Sequence, residues 1–264
     1  MSNVLALSSI FYGEPTLENW SLAKTAGFND TELCLTRSRS VEELEAKGDV
    51  IHDVLTKAGL AVSSVHLPFG HEWDISSTDT QVREKAVEDY IKLLHWAKGK
   101  GIVIAVVHAS FEPISDDTRA ERLLFAVKSI DKLSVCARTL GMQIAVENLP
   151  RSCLGNCAAD MLALTGNGET AGICLDSNHL LMETHEEFVP KIARFIITTH
   201  LSDYDRLDEK HWLPGEGVIN WKGLIGMLAE SGYRGRYLFE VNQKCTEPAL
   251  TAAKLAERFY SLIK

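Results

Sequence analysis

The residues of this chain that could carry out chemistry are acids and histidines that follow short apolar segments. Six of eight such segments end in one of these residue types, at His66, His108, Glu147, Asp176, His200 and Glu240. Another segment carries Glu32. A charged group at the end of an apolar segment is costly to bury alone, so it must pair with another charge or with a metal ion.

Histidines are concentrated near the same segment ends. Of the nine in the chain, five lie at or soon after such an end, namely His66, His108, His179, His200 and His211. Taken singly, a histidine in this position is more often a hydrogen-bonded core residue than a ligand, and Glu147 could simply pair with Arg151. Taken together, the residues favour a metal site. The oxygen and imidazole set that suits a divalent ion such as Mn, Mg, Co or Zn consists of Glu147, Asp176, His200 and Glu240.

The elements that must position these side chains are predicted from periodicity. Apolar, β-branched segments typical of strands cover residues 3–7, 32–35, 62–67, 102–108, 143–147, 172–176, 195–201 and 236–241. Stretches with helical periodicity lie between them and include residues 41–57, 81–98, 118–139, 221–229 and 247–262. Residues 102–107 are apolar at every position, as expected for a parallel sheet that is covered on both faces.

Eight strand and helix units in 264 residues predict an α/β fold, a single (β/α)8 TIM barrel domain that spans residues 1–264. The alternative is an open doubly wound sheet, which usually carries a glycine-rich phosphate loop after its first strand. Residues 8–12 follow that strand here, and no G-x-G-x-x-G motif is present. The carboxyl ends of barrel strands meet at one mouth, so the acids and histidines would share one site.

The composition limits the partners. With 36 acidic and 27 basic residues, the net charge of −9 argues against affinity gained by neutralising many phosphates of nucleic acid. The six cysteines, Cys245 included, are thinly spread and fit free thiols in a reducing compartment. The sequence has neither a signal-peptide pattern nor a window near the roughly 18 apolar residues that span a bilayer. We therefore expect a cytoplasmic protein without nucleic-acid or membrane partners, and a homo-oligomer is compatible with the sequence.

Several motifs resemble one known group of barrels. They are Ala-Val-Glu-Asn at 145–148, Leu-Asp-Ser-Asn-His at 175–179, His-Leu-Ser-Asp at 200–203, His-Trp-Leu-Pro-Gly-Glu-Gly at 211–217 and Phe-Glu-Val at 239–241. Together they resemble the xylose isomerase-like superfamily of sugar-phosphate isomerases and epimerases, which also contains the endonuclease IV family. The epimerase branch implies a metal held by Glu147, Asp176, His200 and Glu240. It also implies that the two glutamates act as acid and base and that His179 and Arg206 bind substrate.

The endonuclease branch of the same superfamily implies a different number of metal ions in the site. It implies up to three zinc ions, with ligands at His66, His108, Glu147, Asp176, His179, His200, His211 and Glu240. The aspartate expected two residues before His211 is Glu209 in this chain. Because of this difference, the sequence does not decide whether the third metal site is present. The negative net charge disfavours a nucleic-acid duplex as substrate.

From these observations we expect a metal-dependent isomerase or epimerase that acts on a small carbohydrate. Glu147 would remove the proton next to a carbonyl, a divalent cation would stabilise the enediolate, and Glu240 would return the proton. The predicted substrate-binding residues are His66, His108, His179, Arg206 and His211. The alternatives are a zinc phosphodiesterase, a metal-dependent dehydratase or other lyase of a hydroxy-carbonyl acid, and a sugar-binding protein without turnover.

Overall fold

Eight strands and eight helices alternate along the described part of the chain. The computed structural model describes residues 4–13, 15–36, 38, 40–241 and 251–264. The strands are β1 Leu5–Ser8, β2 Phe28–Cys34, β3 Ala61–His66, β4 Ile104–Val107, β5 Gln143–Glu147, β6 Gly172–Asp176, β7 Ile196–His200 and β8 Tyr237–Phe239. The helices are α1 Leu17–Thr25, α2 Val41–Lys57, α3 Thr80–Gly99, α4 Asp116–Thr139, α5 Ala158–Leu164, α6 His185–Ile192, α7 Trp221–Glu230 and α8 Ala252–Ile263.

All strands belong to one parallel sheet that closes on itself. The hydrogen-bonded order is β7-β6-β5-β4-β3-β2-β1-β8. The two ends of this order meet, because the backbone N–H of Leu201 donates to Leu238 at 2.8 Å and that of Glu240 donates to Leu201 at 3.1 Å. The predicted (β/α)8 TIM barrel is therefore confirmed, and the open doubly wound sheet is wrong.

Most element boundaries follow from the sequence pattern and from helix caps. Strands β5 and β6 and helix α2 have the predicted limits, whereas β2 begins four residues earlier than predicted. The Ser40 hydroxyl accepts a hydrogen bond from the N–H of Glu43 at the start of α2, and Thr184 forms a capping box with Glu187 at the start of α6. The predicted strand at 3–7 and helix at 247–262 extend into residues 3 and 247–250, which lie outside the described residues.

The interior of the barrel changes from apolar to polar along the strands. Side chains two residues apart on a strand point to the same face, so each site residue lies one interior layer above a smaller or apolar residue. The buried pairs are Ser64 and His66, Ala145 and Glu147, Cys174 and Asp176, and Thr198 and His200. Val106, Ala145 and Cys174 form a small apolar cluster in the lower of these layers. This cluster supports the ends of the strands from below.

The loop between β7 and α7 is fixed by one buried carboxylate, Asp203. Its two oxygens accept hydrogen bonds from the backbone N–H groups of Tyr204, Gly215 and Ile219 and from the indole Nε1 of Trp221. A Cβ at Gly217 would lie 2.1 Å from the carbonyl oxygen of Tyr204, so only glycine fits there. The loop that carries residues 208–211 is thereby held in one position above the barrel.

The remaining fold predictions concern thiols and membranes. The five cysteines that the structure describes are free, and Cys245 lies outside the described residues. Among the described helices, none combines the length and the apolar character needed to cross a bilayer.

Replacing Asp203 with alanine should destabilise the protein. The substitution leaves four donors without their acceptor, so we expect the free energy of unfolding to fall by about 3 kcal/mol in urea titrations. The control is Asp53→Ala, which removes an exposed carboxylate that pairs with Lys57 within α2 and should change stability by less than about 0.5 kcal/mol. Equal effects of the two substitutions would contradict this role of Asp203.

Candidate metal centre

Four side chains from the ends of adjacent strands meet at the mouth of the barrel. Each offers one ligand atom, these atoms lie within 4.8 Å of one another, and we call the set the central group: Glu147, Asp176, His200 and Glu240. The Nδ1 atom of His200 is 3.2 Å from Oε1 of Glu147 and 3.0 Å from Oε2 of Glu240. The four residues predicted as metal ligands are thus brought together.

Two atoms of the central group are buried without a hydrogen-bond partner. Neither Oδ2 of Asp176 nor Nδ1 of His200 has one among the residues that the structure describes. Buried polar atoms are almost always satisfied, because an unpaired one loses its hydration without compensation. A divalent cation between these atoms would satisfy both, and an oxygen-rich set with one imidazole is chemically suitable for it. The residues present therefore fit a metal ion.

Glu147 also contributes to a second set of ligand atoms, which we call the inner flanking group. It consists of His66, His108 and Glu147. The Nε2 atoms of His66 and His108 lie 3.1 and 3.2 Å from Oε2 of Glu147. Because Oε1 of the same carboxylate faces His200, Glu147 bridges the two groups.

A third set, the outer group, lies nearer the surface and consists of His179, Glu209 and His211. Oε2 of Glu209 is 3.1 Å from Nε2 of His179. The resemblance to the endonuclease branch predicts an aspartate at the position that Glu209 occupies. The structure places its carboxylate beside both histidines, so the longer side chain still reaches the position of a ligand. The sequence signal for Glu209 as a ligand is that it is an acid two residues before His211.

The histidine rings are held in orientations suited to ligation. In each of three rings Nδ1 lies within hydrogen-bond distance of a backbone carbonyl, and the pairs are His66 with Leu67, His179 with Asn148 and His211 with Glu240. When Nδ1 donates to the carbonyl, Nε2 is left with its lone pair facing the neighbouring carboxylates. Histidine ligands of metal ions usually have such a second hydrogen bond, which fixes the tautomer.

Burial and neighbouring charges act in opposite directions on the carboxyl groups. Burial raises the pKa of Glu147, but the imidazoles of His200 and His108 outweigh it and hold that pKa well below its usual range. The same competition, with His200 as the main partner, lowers the pKa of Glu240 to about 2. For Asp176 burial prevails and raises the pKa to about 6. Both glutamates are therefore ionised at neutral pH.

The histidines respond to the same carboxylates. Burial lowers the pKa of His66, but the hydrogen bond and the charge of Glu147 outweigh it and raise that pKa to about 9. For His179, Asp176 and Glu209 outweigh burial and raise the pKa to about 10. At neutral pH these imidazoles therefore carry protons that a bound cation would have to displace.

A cavity of about 210 Å³ opens above the three groups. Its floor contains His66, His108, Glu147, His179, His211 and Glu240. Phe69, Phe111, Leu149 and Pro150 form an apolar wall, and the ring of Phe69 stacks on His108 with a centroid distance of 4.4 Å. Arg206, predicted to bind substrate, is exposed and is not among the described residues that line the cavity.

Arg151 joins three loops at the edge of this cavity. Its guanidinium forms ion pairs with Glu112 in the β4–α4 loop and with Asp208 and Glu209 in the β7–α7 loop. The pKa of Glu209 is lowered to about 2, chiefly by the hydrogen bond from His179 and also by Arg151. The sequence suggested a pair between Arg151 and Glu147, but the partners of Arg151 are the three loop acids instead.

Comparison with known proteins identifies the family. Residues 20–262 match the family model of the xylose isomerase-like TIM barrel, and the chain belongs to this family.

Its relatives include sugar epimerases. The L-ribulose-5-phosphate 3-epimerase UlaE of Salmonella paratyphi C is 26% identical over 265 residues, which cover 92% of this chain and 88% of the relative. Among solved structures, a D-tagatose 3-epimerase-like protein has a TM-score of 0.76 at 20% identity and covers 98% of both chains. The 3-keto-D-glucoside 4-epimerase of E. coli has a TM-score of 0.76 at 18% identity and covers 99% of both chains. The likeness to these two structures concerns the fold.

Binding of a divalent cation should release protons and become tighter as pH rises. A cation in the central group binds Asp176 in its ionised form and repels the protonated rings of His66 and His179 beside it, whereas the raised pKa values of all three groups favour their protonated forms when no cation is bound. Affinity should therefore increase between pH 6 and 9. Calorimetric titration with Zn²⁺ in two buffers of different ionisation enthalpy counts the released protons.

The matched variants for this titration are His179→Ala and His95→Ala. The first removes a histidine of the outer group and should reduce the number of protons released, whereas the second removes an exposed histidine of α3 and should leave it unchanged. Affinity that stays constant or increases at lower pH would contradict the assignment.

Proposed function

We propose that this protein is a divalent-metal-dependent epimerase or isomerase of a small ketose or ketose phosphate. The observation that carries the proposal is the placement of two carboxylates of the central group. Glu147 ends β5 and Glu240 follows β8, three strands away in the barrel, yet their ligand atoms lie within 4.8 Å of each other. Of two carboxyl groups that approach one point from different directions, one can take a proton from one face of a substrate carbon while the other, once protonated by water, supplies a proton to the opposite face.

The chain's own residues supply the proton transfers. Glu240 first takes a proton from water, and Glu147 accepts the proton next to the substrate carbonyl. Glu240 then delivers its proton to the opposite face of the carbon, and Glu147 returns its proton to water, with the roles exchanged in the reverse reaction. A divalent ion held by Glu147, Asp176, His200 and Glu240 would supply the positive charge that stabilises the enediolate.

The histidines outside the central group have a second role in this proposal. His66 and His108 lie beside one oxygen of Glu147, and His179 and His211 lie beside Glu209. With a cation only in the central group, these four rings are available to bind substrate hydroxyl oxygens. Arg206 is exposed and is not among the described residues that line the cavity, so its contact with the substrate stays a prediction.

A phosphodiesterase that uses two or three zinc ions is the second candidate function. The favouring observation is that the central, inner flanking and outer groups all have ligand geometry, with Glu209 in place of the expected aspartate. The net charge of −9 opposes a nucleic-acid duplex as substrate. The number of metal ions per chain separates the two candidates, since the epimerase needs one and the phosphodiesterase two or three.

Replacing either central glutamate with glutamine should abolish proton exchange. Glu147→Gln and Glu240→Gln keep the side-chain shape but remove the base, so incorporation of solvent deuterium into a processed ketose should fall by at least about 100-fold. NMR of the recovered sugar measures the exchange. The control is Glu230→Gln at an exposed position of α7, which should retain full exchange. Exchange retained in both central variants would contradict the two-carboxylate mechanism.

Removal of metal should abolish activity reversibly. After dialysis against a chelator we expect no turnover of ketoses, and activity should return when Mn²⁺, Co²⁺, Mg²⁺ or Zn²⁺ is added. Elemental analysis of the reloaded protein should then give about one ion per chain. Full activity without metal would contradict the epimerase proposal. Three ions together with cleavage of a phosphodiester would favour the second candidate, and loss of water from the substrate would indicate a lyase.

A further inference from the structure

Glu32 is a buried carboxylate for which the proposed reaction has no direct use. It lies on β2, is fully buried, and does not line the cavity above the site. Its hydrogen-bond partners in the described part of the chain are the imidazole of His200 and the hydroxyl of Ser64. An ionised carboxylate is costly to bury, so this position needs a compensating interaction.

The compensating interaction is with a member of the central group. Oε1 of Glu32 lies 2.8 Å from Nε2 of His200, and both side chains are fully buried. An acceptor at this distance favours the ring form in which Nε2 carries the proton. The lone pair is then on Nδ1, the atom that faces Glu147 and Glu240. The opposite tautomer would direct two lone pairs at each other across the contact with Glu32.

The position of Glu32 is itself fixed by the neighbouring strand. The hydroxyl of Ser64 donates to Oε2 at 2.6 Å, and Glu32 and Ser64 are partners in the register of β2 and β3. The carboxylate therefore cannot turn away from His200 without losing this bond. The rings of His66, His179 and His211 use backbone carbonyls for the same purpose, so His200 differs from these three in having a charged acceptor behind its imidazole.

We propose that Glu32 is a positioning residue of the central group, which acts through His200 on the divalent cation held there. It sets which nitrogen of His200 is free to bind the cation and increases the electron density on that nitrogen. The inference rests on the proposed function to the extent that a cation occupies the central group. It assigns Glu32 no contact with the substrate.

The test is the affinity of the purified full-length protein for Co²⁺. Glu32→Gln keeps the shape of the side chain but removes its charge and offers an amide N–H₂ that favours the opposite tautomer. We expect the affinity to fall about 10- to 100-fold, as measured by competition with a chromophoric chelator. Ser64→Ala loosens the carboxylate without removing it and should give a smaller loss.

The matched control is Asp30→Asn on the same strand. Asp30 is also a buried carboxylate, but it contacts Ser63 and Arg236 rather than the donor groups. Its substitution should lower thermal stability and leave the Co²⁺ affinity unchanged. A merely structural role of Glu32 predicts the same behaviour for both variants, whereas the positioning role predicts loss of affinity only in Glu32→Gln and Ser64→Ala.

The outcomes separate this inference from the proposed function. If the wild type binds Co²⁺ and Glu32→Gln binds it equally tightly, the inference is wrong and the proposed function stands. If the wild type binds no divalent ion, the proposed function fails. Should Glu32→Gln not fold, ¹⁵N NMR of the Zn²⁺-loaded wild type decides, because the inference requires the proton of His200 on Nε2, and a proton on Nδ1 would overturn it.

Discussion

Negative charge gathered at the mouth of a closed barrel is the constraint on which the rest of this structure depends. Glu32, Glu147 and Asp176 are buried together, with Glu240 at their edge, and no Lys or Arg is within ion-pair distance of them among the described residues. Imidazoles occupy the positions between these carboxylates. Because each imidazole can be neutral or protonated, the same arrangement can hold protons in the absence of a cation and hold a cation when one binds.

This constraint explains why the site needs the whole fold. His200 contacts Glu32 across 168 residues of sequence and contacts Glu240 on the other side, so the central group forms only when the sheet closes between β7 and β8. The buried layer beneath the site and the hydrogen bonds of Asp203 fix the strand ends and the loop above them. The candidate centre is therefore a product of barrel closure rather than of any local motif.

Much of the fold and of the central group can be predicted from the sequence. Eight apolar segments that alternate with helical stretches and end in polar residues identify the barrel and the four residues of the central group, because every strand of a closed barrel brings its carboxyl end to the same mouth. The start of β2 was predicted too late because Asn29 and Asp30 break the apolar pattern. Asp30 is nevertheless buried, because Ser63 and Arg236 form hydrogen bonds and an ion pair with it, and a pattern of single residues does not show such partners.

The substrate-binding residues remain predictions. Among them, Arg206 does not belong to the described residues that line the cavity. The roles of Glu209 and Glu32 could not be predicted from the sequence, because they depend on spatial contacts with Arg151 and His200 respectively.

Binding of a divalent cation by the central group underlies both the proposed function and the role of Glu32. The most direct measurement is anomalous X-ray diffraction from crystals soaked in Mn²⁺. We expect an anomalous peak within bonding distance of Glu147, Asp176, Glu240 and Nδ1 of His200. A fully soaked crystal with no peak at this position, or with these four side chains turned away from one another, would contradict it.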